Sequence, residues 1–116
     1  MQEGADPYLV STLLRSLLPF FANDNERVYK EGSLSLEIYF IMSGAVILCS
    51  TETENTGGSV VMDSFIKGQT LGLGEAVSNT LRRGSAFAVS HTQGYFVSAA
   101  EFLDVIALRY ILVLAY

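Results

Sequence analysis

Only one cysteine, Cys49, and one histidine, His91, occur among the 116 residues. A lone cysteine excludes an internal disulfide framework and fits a reducing compartment. A lone histidine excludes metal sites built from two or three imidazoles, and catalysis by histidine pairs. Charge is also scarce, at 16% of residues, against about 25% in an average soluble domain. What charge there is leans acidic, with 12 Asp and Glu against 7 Lys and Arg and a formal net charge of −5. A protein that binds nucleic acid by counterion release needs the opposite balance, so no nucleic-acid partner is expected. Long apolar runs are missing too. The longest uncharged apolar stretches are 17–22 and 110–116, far short of the roughly 20 residues that span a bilayer. This segment is therefore not expected to insert into a membrane. The N-terminus lacks the basic, apolar, small-residue order of a signal peptide.

What is present is a core. Half the residues are apolar, which excludes a disordered chain. The length suits one domain, 1–116, that needs no staples. The sparse charge and the apolar end at 110–116 suggest that this domain is part of a longer chain.

Asp6-Pro7 is a helix start, with a capping oxygen followed by proline at the first helical position. Leu9, Val10, Leu13, Leu14, Leu17 and Leu18 follow at helical spacing and predict a helix over 7–18, which Pro19 ends. The period then changes. Residues 27–30 read as a short strand, 37–42 as a buried strand, and 45–49 as its partner in a hairpin turned at Ser43-Gly44. Residues 50–59 read as an exposed loop and 60–66 as a strand. Residues 70–74 alternate glycine with leucine and are not a plain strand. Short strands are predicted at 86–89 and 95–97. Ser98-Ala99-Ala100-Glu101 is a capping box that starts a second helix at about 99. The expected architecture is mainly β with flanking helices: an antiparallel β-roll of the jelly-roll barrel type. Tyr39, Ile41, Val46, Leu48, Phe65 or Ile66, and Phe102 should supply much of the core.

The chemistry argues against an enzyme. A metal cupin needs more histidines than one, and there is no nucleophile elbow. His91 reads as a solvated turn residue and Cys49 as a small core hydrophobe. No metal or cofactor is expected. The informative stretch is 68–85. Gly72 and Gly74 allow close backbone approach. Residues 75–79 suit one helical turn whose N–H groups face an anion. Arg82-Arg83 follows with guanidinium groups matched to phosphate oxygens. The bland alternative is a loop carrying a solvated arginine pair.

Three motifs outside that stretch bear on the choice. Residues 24–32 partly match an entry motif of the P-G-D-x-I-x-x-E-G type and end in Glu31-Gly32. Tyr39-Phe40-Ile41-Met42-Ser43-Gly44-Ala45-Val46 matches a Y-F-I-x-x-G-x-V run, and residues 95–102 look like Y-x-L-S-x-x-x-F. On these motifs the sequence resembles a cyclic-nucleotide-binding domain, from about Leu13 to Ile106. Such domains serve cyclic-nucleotide-regulated channels, kinase regulatory subunits and bacterial regulators. The family's phosphate-binding pattern is F-G-E, a short helix, then R-x-A. A gapless register puts Leu71-Gly72-Leu73 on F-G-E, Arg82 on the arginine and Gly84 on the alanine, so that Leu73 replaces the ribose-holding acid. The other register keeps the acid as Glu75 but needs insertions, with Arg82 or Arg83 as the phosphate ligand. The resemblance implies ligand contacts from Gly72, Leu73, Gly74, Glu75, Arg82, Arg83, Gly84 and Ser85, with Ser85 beside the arginines.

The resemblance implies a cytoplasmic regulatory domain that binds cAMP or cGMP. Through its C-terminal helix it would control an attached effector or partner subunit, most readily an ion channel or transporter. The alternative is a non-binding scaffold or interaction module of the same fold. A transcription regulator is disfavoured by the acidic balance and the lack of a basic helix-turn-helix.

Overall fold

The computed structural model describes residues 7–50 and 60–114, the side chains of 9–10 and 108–114 excepted. Asp6 lies outside the described residues, and so does the expected loop 50–59 except Ser50, which is buried and ends a strand. The first helix, α1, is Pro7–Ser16, and the chain then extends into strand β1, Leu18–Ala22. The expected helix over 7–18 is thus two residues too long, because Pro19 cannot donate to a helix and favours extended backbone before it. The predicted leucine stripe divides accordingly. Leu13 and Leu17 pack inward, whereas Leu14 is 61% exposed and Leu18 belongs to the strand.

Next come β2 (Arg27–Tyr29), β3 (Glu37–Ser43), β4 (Ala45–Ser50), β5 (Val60–Ile66) and β6 (Thr70–Leu71). Helix α2 is Leu73–Ser78, followed by β7 (Ser85–Ala88), β8 (Thr92–Ser98) and α3 (Ala99–Leu114). The strands form two antiparallel four-stranded sheets, ordered β1-β8-β3-β6 and β2-β7-β4-β5. These face each other as a β-roll and are not closed into a barrel.

The hairpin expected from 37–42 and 45–49 does not form. β3 pairs with β8 and β6, and β4 pairs with β5 and β7 in the opposite sheet. Gly44 makes the crossing with a φ of 91°. A side chain there would collide with the His91 carbonyl and Thr92. Thr92, fully buried, donates through its hydroxyl to the Ala45 carbonyl at 3.1 Å and accepts from the Ala45 N–H at 3.2 Å. This corner ties the two sheets together, and the hairpin that does form is β4–β5.

Alternation along β3 builds two cores. Tyr39 and Ile41 point between the sheets, with Val46, Leu48, Leu71 and Ala86. Phe65 packs against this cluster, whereas Ile66 is 56% exposed. Ile38 points the other way and meets Val97 and Ala76, joined by Leu13, Leu17, Leu73 and Phe102. The second core therefore lies beneath all three helices.

Candidate functional site

Helix α2 sits where the glycine–leucine alternation breaks the strand period. Gly72 precedes it in the left-handed region at φ 85°, and Asn79 ends it at φ 57°. The expected turn at 75–79 starts two residues earlier, at Leu73, which makes Glu75 the third residue of the helix. Leu73 and Ala76 face the second core, so the helix is held by its apolar side.

Arg82 lies behind this helix. It is 2% exposed, the one charged residue buried among those described. Its backbone is pinned to the 30–33 turn: Arg82 N–H donates to the Ser33 carbonyl at 2.9 Å, and Gly32 N–H donates to the Arg82 carbonyl at 2.8 Å. The guanidinium donates through Nη1 to the Gly72 carbonyl at 3.0 Å and to Glu75 Oε1 at 3.2 Å. Nη2 donates to the Glu37 carbonyl on β3. The guanidinium carbon stands 4.1 Å above the Tyr29 ring, a cation–π arrangement. Nε has no partner. Gly72 is required here, because a Cβ at its position would meet Nη1.

Glu75 serves both arginines. Its Oε2 accepts from the Arg83 backbone N–H at 2.8 Å and lies 3.6 Å from Arg83 Nε. The Arg83 side chain itself is 53% exposed, with Asp63 at 3.8 Å. Adjacent residues thus point opposite ways, and only Arg82 is taken inside. Burial raises the Tyr29 hydroxyl pKa to about 12, with the negative charge of Glu75 adding to the effect. Burial likewise raises Tyr39 to about 12, with Glu37 beside it.

A cavity of about 220 Å³ opens beside this cluster, between Tyr29, Leu48 and Phe65 on the roll and 72–75 with Arg83 on the other side. Of the eight residues expected to bind ligand, Gly72, Leu73, Gly74, Glu75 and Arg83 line it. Arg82 touches the cluster from behind Glu75. Gly84 and Ser85 do not line the cavity. Gly84 lies against the Cys49 carbonyl, where a Cβ would come within 2.8 Å. The Ser85 hydroxyl accepts from the Glu31 N–H at 2.8 Å, fastening the 30–33 turn to β7. Thr70 also lines the cavity, and the sequence reading missed it together with Tyr29, Leu48 and Phe65. The apolar types of the last three mark core strands, and nothing local separates a core face from a cavity wall. A larger cleft of about 350 Å³ opens near β1 and β2; of its three charged groups Glu26 and Arg27 are exposed to solvent, and Glu37 is half-buried and accepts from the Tyr39 hydroxyl. His91 is exposed and packs edge-on against Phe21, with ring centroids 4.9 Å apart.

No curated protein matches this chain in sequence. The fold is shared with solved structures. It is similar to the catabolite activator protein of Thermus thermophilus at 22% identity and a TM-score of 0.76, over 97% of this chain and 55% of that one. It is similar to the regulatory domain of Toxoplasma gondii protein kinase A, solved with cAMP, at 13% identity and a TM-score of 0.78, over 92% of this chain and 41% of that one. The regulatory subunit of a cAMP-independent protein kinase A from Trypanosoma cruzi, bound to guanosine, aligns at 19% identity and a TM-score of 0.79, over 95% of this chain and 39% of that one. The chain spans about half or less of these relatives' length. The family model for the cyclic nucleotide-binding domain matches residues 20–109. With the β-roll, the short helix after Gly72 and the arginine behind it on the page, the chain belongs to the cyclic nucleotide-binding domain family.

Proposed function

We propose that this domain is a ligand-sensing regulatory module whose ligand, a cyclic nucleotide such as cAMP or cGMP, enters the cavity beside α2. The observation that carries the reading is Arg82. A buried guanidinium costs several kcal/mol of desolvation, of the order of what its partners return, and a purely structural position is served better by an apolar residue. It stands where the roll meets α2, behind the Glu75 carboxylate that lines the cavity, and an anion anchor is useful there. The effector is proposed to lie outside this segment, with a channel, a transporter or a kinase partner as the candidate types. Leu73 and Ala76 pack on the same cluster as Ala99 and Phe102. A ligand that repositions α2 therefore disturbs the seat of α3, and α3 biases the effector by population shift. The effector reading places the domain on the cytoplasmic side; among the described residues no helix is long and apolar enough to cross a membrane.

The second reading, a non-binding interaction module, draws on a different observation. Arg82 already finds its partners within the chain, in Glu75 and two carbonyls. Titration calorimetry of the 116-residue chain with cAMP and cGMP separates the two. Heat on titration, with changed hydrogen-exchange protection in α3, supports the sensor. No heat and no shift in melting temperature at millimolar ligand moves the assignment to the interaction module.

A further inference from the structure

The two oxygens of Glu75 are held by two converging donors, the Arg82 guanidinium at 3.2 Å and the Arg83 backbone N–H at 2.8 Å. A guanidinium and an amide N–H aimed at one point form a seat for a two-oxygen anion, the geometry that also suits a phosphate. Here the chain fills that seat with its own carboxylate. Glu75 lines the cavity, whereas Arg82 is shielded from it, and the Glu75 side chain is only 11% exposed. The carboxylate is tethered seven residues from the arginine, so its effective concentration at the seat is high and an incoming anion competes against an intramolecular one. Charge works in the same direction. Glu75 neutralises Arg82, and a phosphate brought within reach of both donors would meet the carboxylate at close range in a poorly solvated place.

Resting on the sensor reading above, we propose that Glu75 is a specificity-determining residue that acts as a built-in competitor for phosphate. The closed site prefers an uncharged nucleoside to a cyclic nucleotide, and a cyclic nucleotide binds only by displacing the Glu75 carboxylate from Arg82 and Arg83. Leu73, at the start of the same helix, offers no hydrogen bond to a ligand hydroxyl, and Glu75 is committed to its two donors. Once the carboxylate has moved, Nη1 of Arg82 and the N–H of Arg83 are the donors left to a phosphate.

The test is calorimetry with adenosine, guanosine, cAMP and cGMP on the wild-type chain, Glu75→Gln and Glu75→Ala, with melting curves as a check on folding. The wild type should bind a nucleoside at least as tightly as its cyclic nucleotide. Glu75→Gln should tighten the cyclic nucleotide by about tenfold or more, the scale of one charge-assisted contact regained, and leave the nucleoside within about threefold. Asp63→Asn, which removes only the exposed partner of Arg83, should change neither. Weaker or unchanged cyclic-nucleotide binding by the variants overturns it, as does a wild-type preference for the cyclic form; the sensor reading survives both outcomes. If neither variant folds, the wild-type order of nucleoside and nucleotide decides the matter. No binding of any of the four ligands by any of the proteins overturns the sensor reading, and this inference with it.

Discussion

Two neighbouring arginines carry unequal weight. Arg82 joins the Gly72 carbonyl, the Glu37 carbonyl, Glu75 and the Tyr29 face, while Arg83 is half exposed. Removing the Arg82 side chain strands a largely buried carboxylate and two carbonyls. Arg82→Ala should lower stability by about 3–5 kcal/mol, the cost of breaking a buried pair from one side. Arg83→Ala should cost no more than about 1 kcal/mol, as surface pairs do. Urea denaturation of both variants measures the difference. The buried tyrosines give a pH signature. Tyr29 and Tyr39 have pKa values raised from 10.0 to about 12. Unfolding lets them ionise earlier, so their contribution to stability is complete below pH 10 and is lost as pH rises through about 12. Alkaline unfolding should therefore set in above pH 10, and an absorbance titration should show Tyr29 and Tyr39 ionising late. Tyr29→Phe should flatten the decline in that window.

Among the elements, α3 begins where its cap dictates. Glu101 N–H donates to Ser98 Oγ at 3.0 Å, and the Ser98 hydroxyl donates to Glu101 Oε1 at 3.2 Å. This differs from the usual capping box, in which the glutamate reaches the cap residue's own N–H. Ser98→Ala should cost about 0.5–2 kcal/mol, read as a lower midpoint in thermal or urea unfolding. Less than a few tenths would mean that packing of Phe102 and Ala99 sets the start of the helix. Helix α2 is the opposite kind of element. It has six residues and no side-chain cap, and depends on Leu73 and Ala76 seating against Ile38 and Val97. A short helix held by one apolar face and by one carboxylate is suited to moving when either hold is released.

At the scale of the whole molecule, β3 is the shared wall. One face of it closes the space between the sheets, and the other carries the helices. Ile41→Ala removes a fully buried side chain from the inter-sheet core and should cost about 2–5 kcal/mol. Leu14→Ala, on the exposed side of α1, should stay within about 0.5 kcal/mol. Denaturant midpoints of the two variants check this, and similar losses would place the core elsewhere. The same wall links α2 to α3. Glu37 at its start accepts from Arg82, Ile38 holds Ala76, and the outer cluster reaches Phe102.

The sequence by itself determined whatever depends on near neighbours. The strand runs at 27–30, 37–42, 45–49 and 60–66, the break in period after residue 70 and the cap at Ser98 are all set within a few residues. The structure has strands, helix and cap at those places. Tyr39, Ile41, Val46 and Leu48 were legible as core from the strand spacing together with the motif match. The family was legible too, in the run from Tyr39 to Val46. The tertiary structure decided which strands share a sheet, because Gly44 admits either a tight hairpin or a crossing, and the crossing goes with the partners that β3 and β4 find in opposite sheets, β8 and β7. It turned 18–22 into β1 by providing β8 as a partner. It also decided the site. Two registers left Leu73 and Glu75 as rivals for one role, and the fold gives Leu73 to the apolar core and Glu75 to the arginines. That outcome was not readable locally, because Arg82 is oriented by the Glu37 carbonyl 45 residues away and by the turn that Ser85 anchors at a separation of 54. Burial of a charge is settled by where its partners arrive, and those partners arrive only when the sheets close.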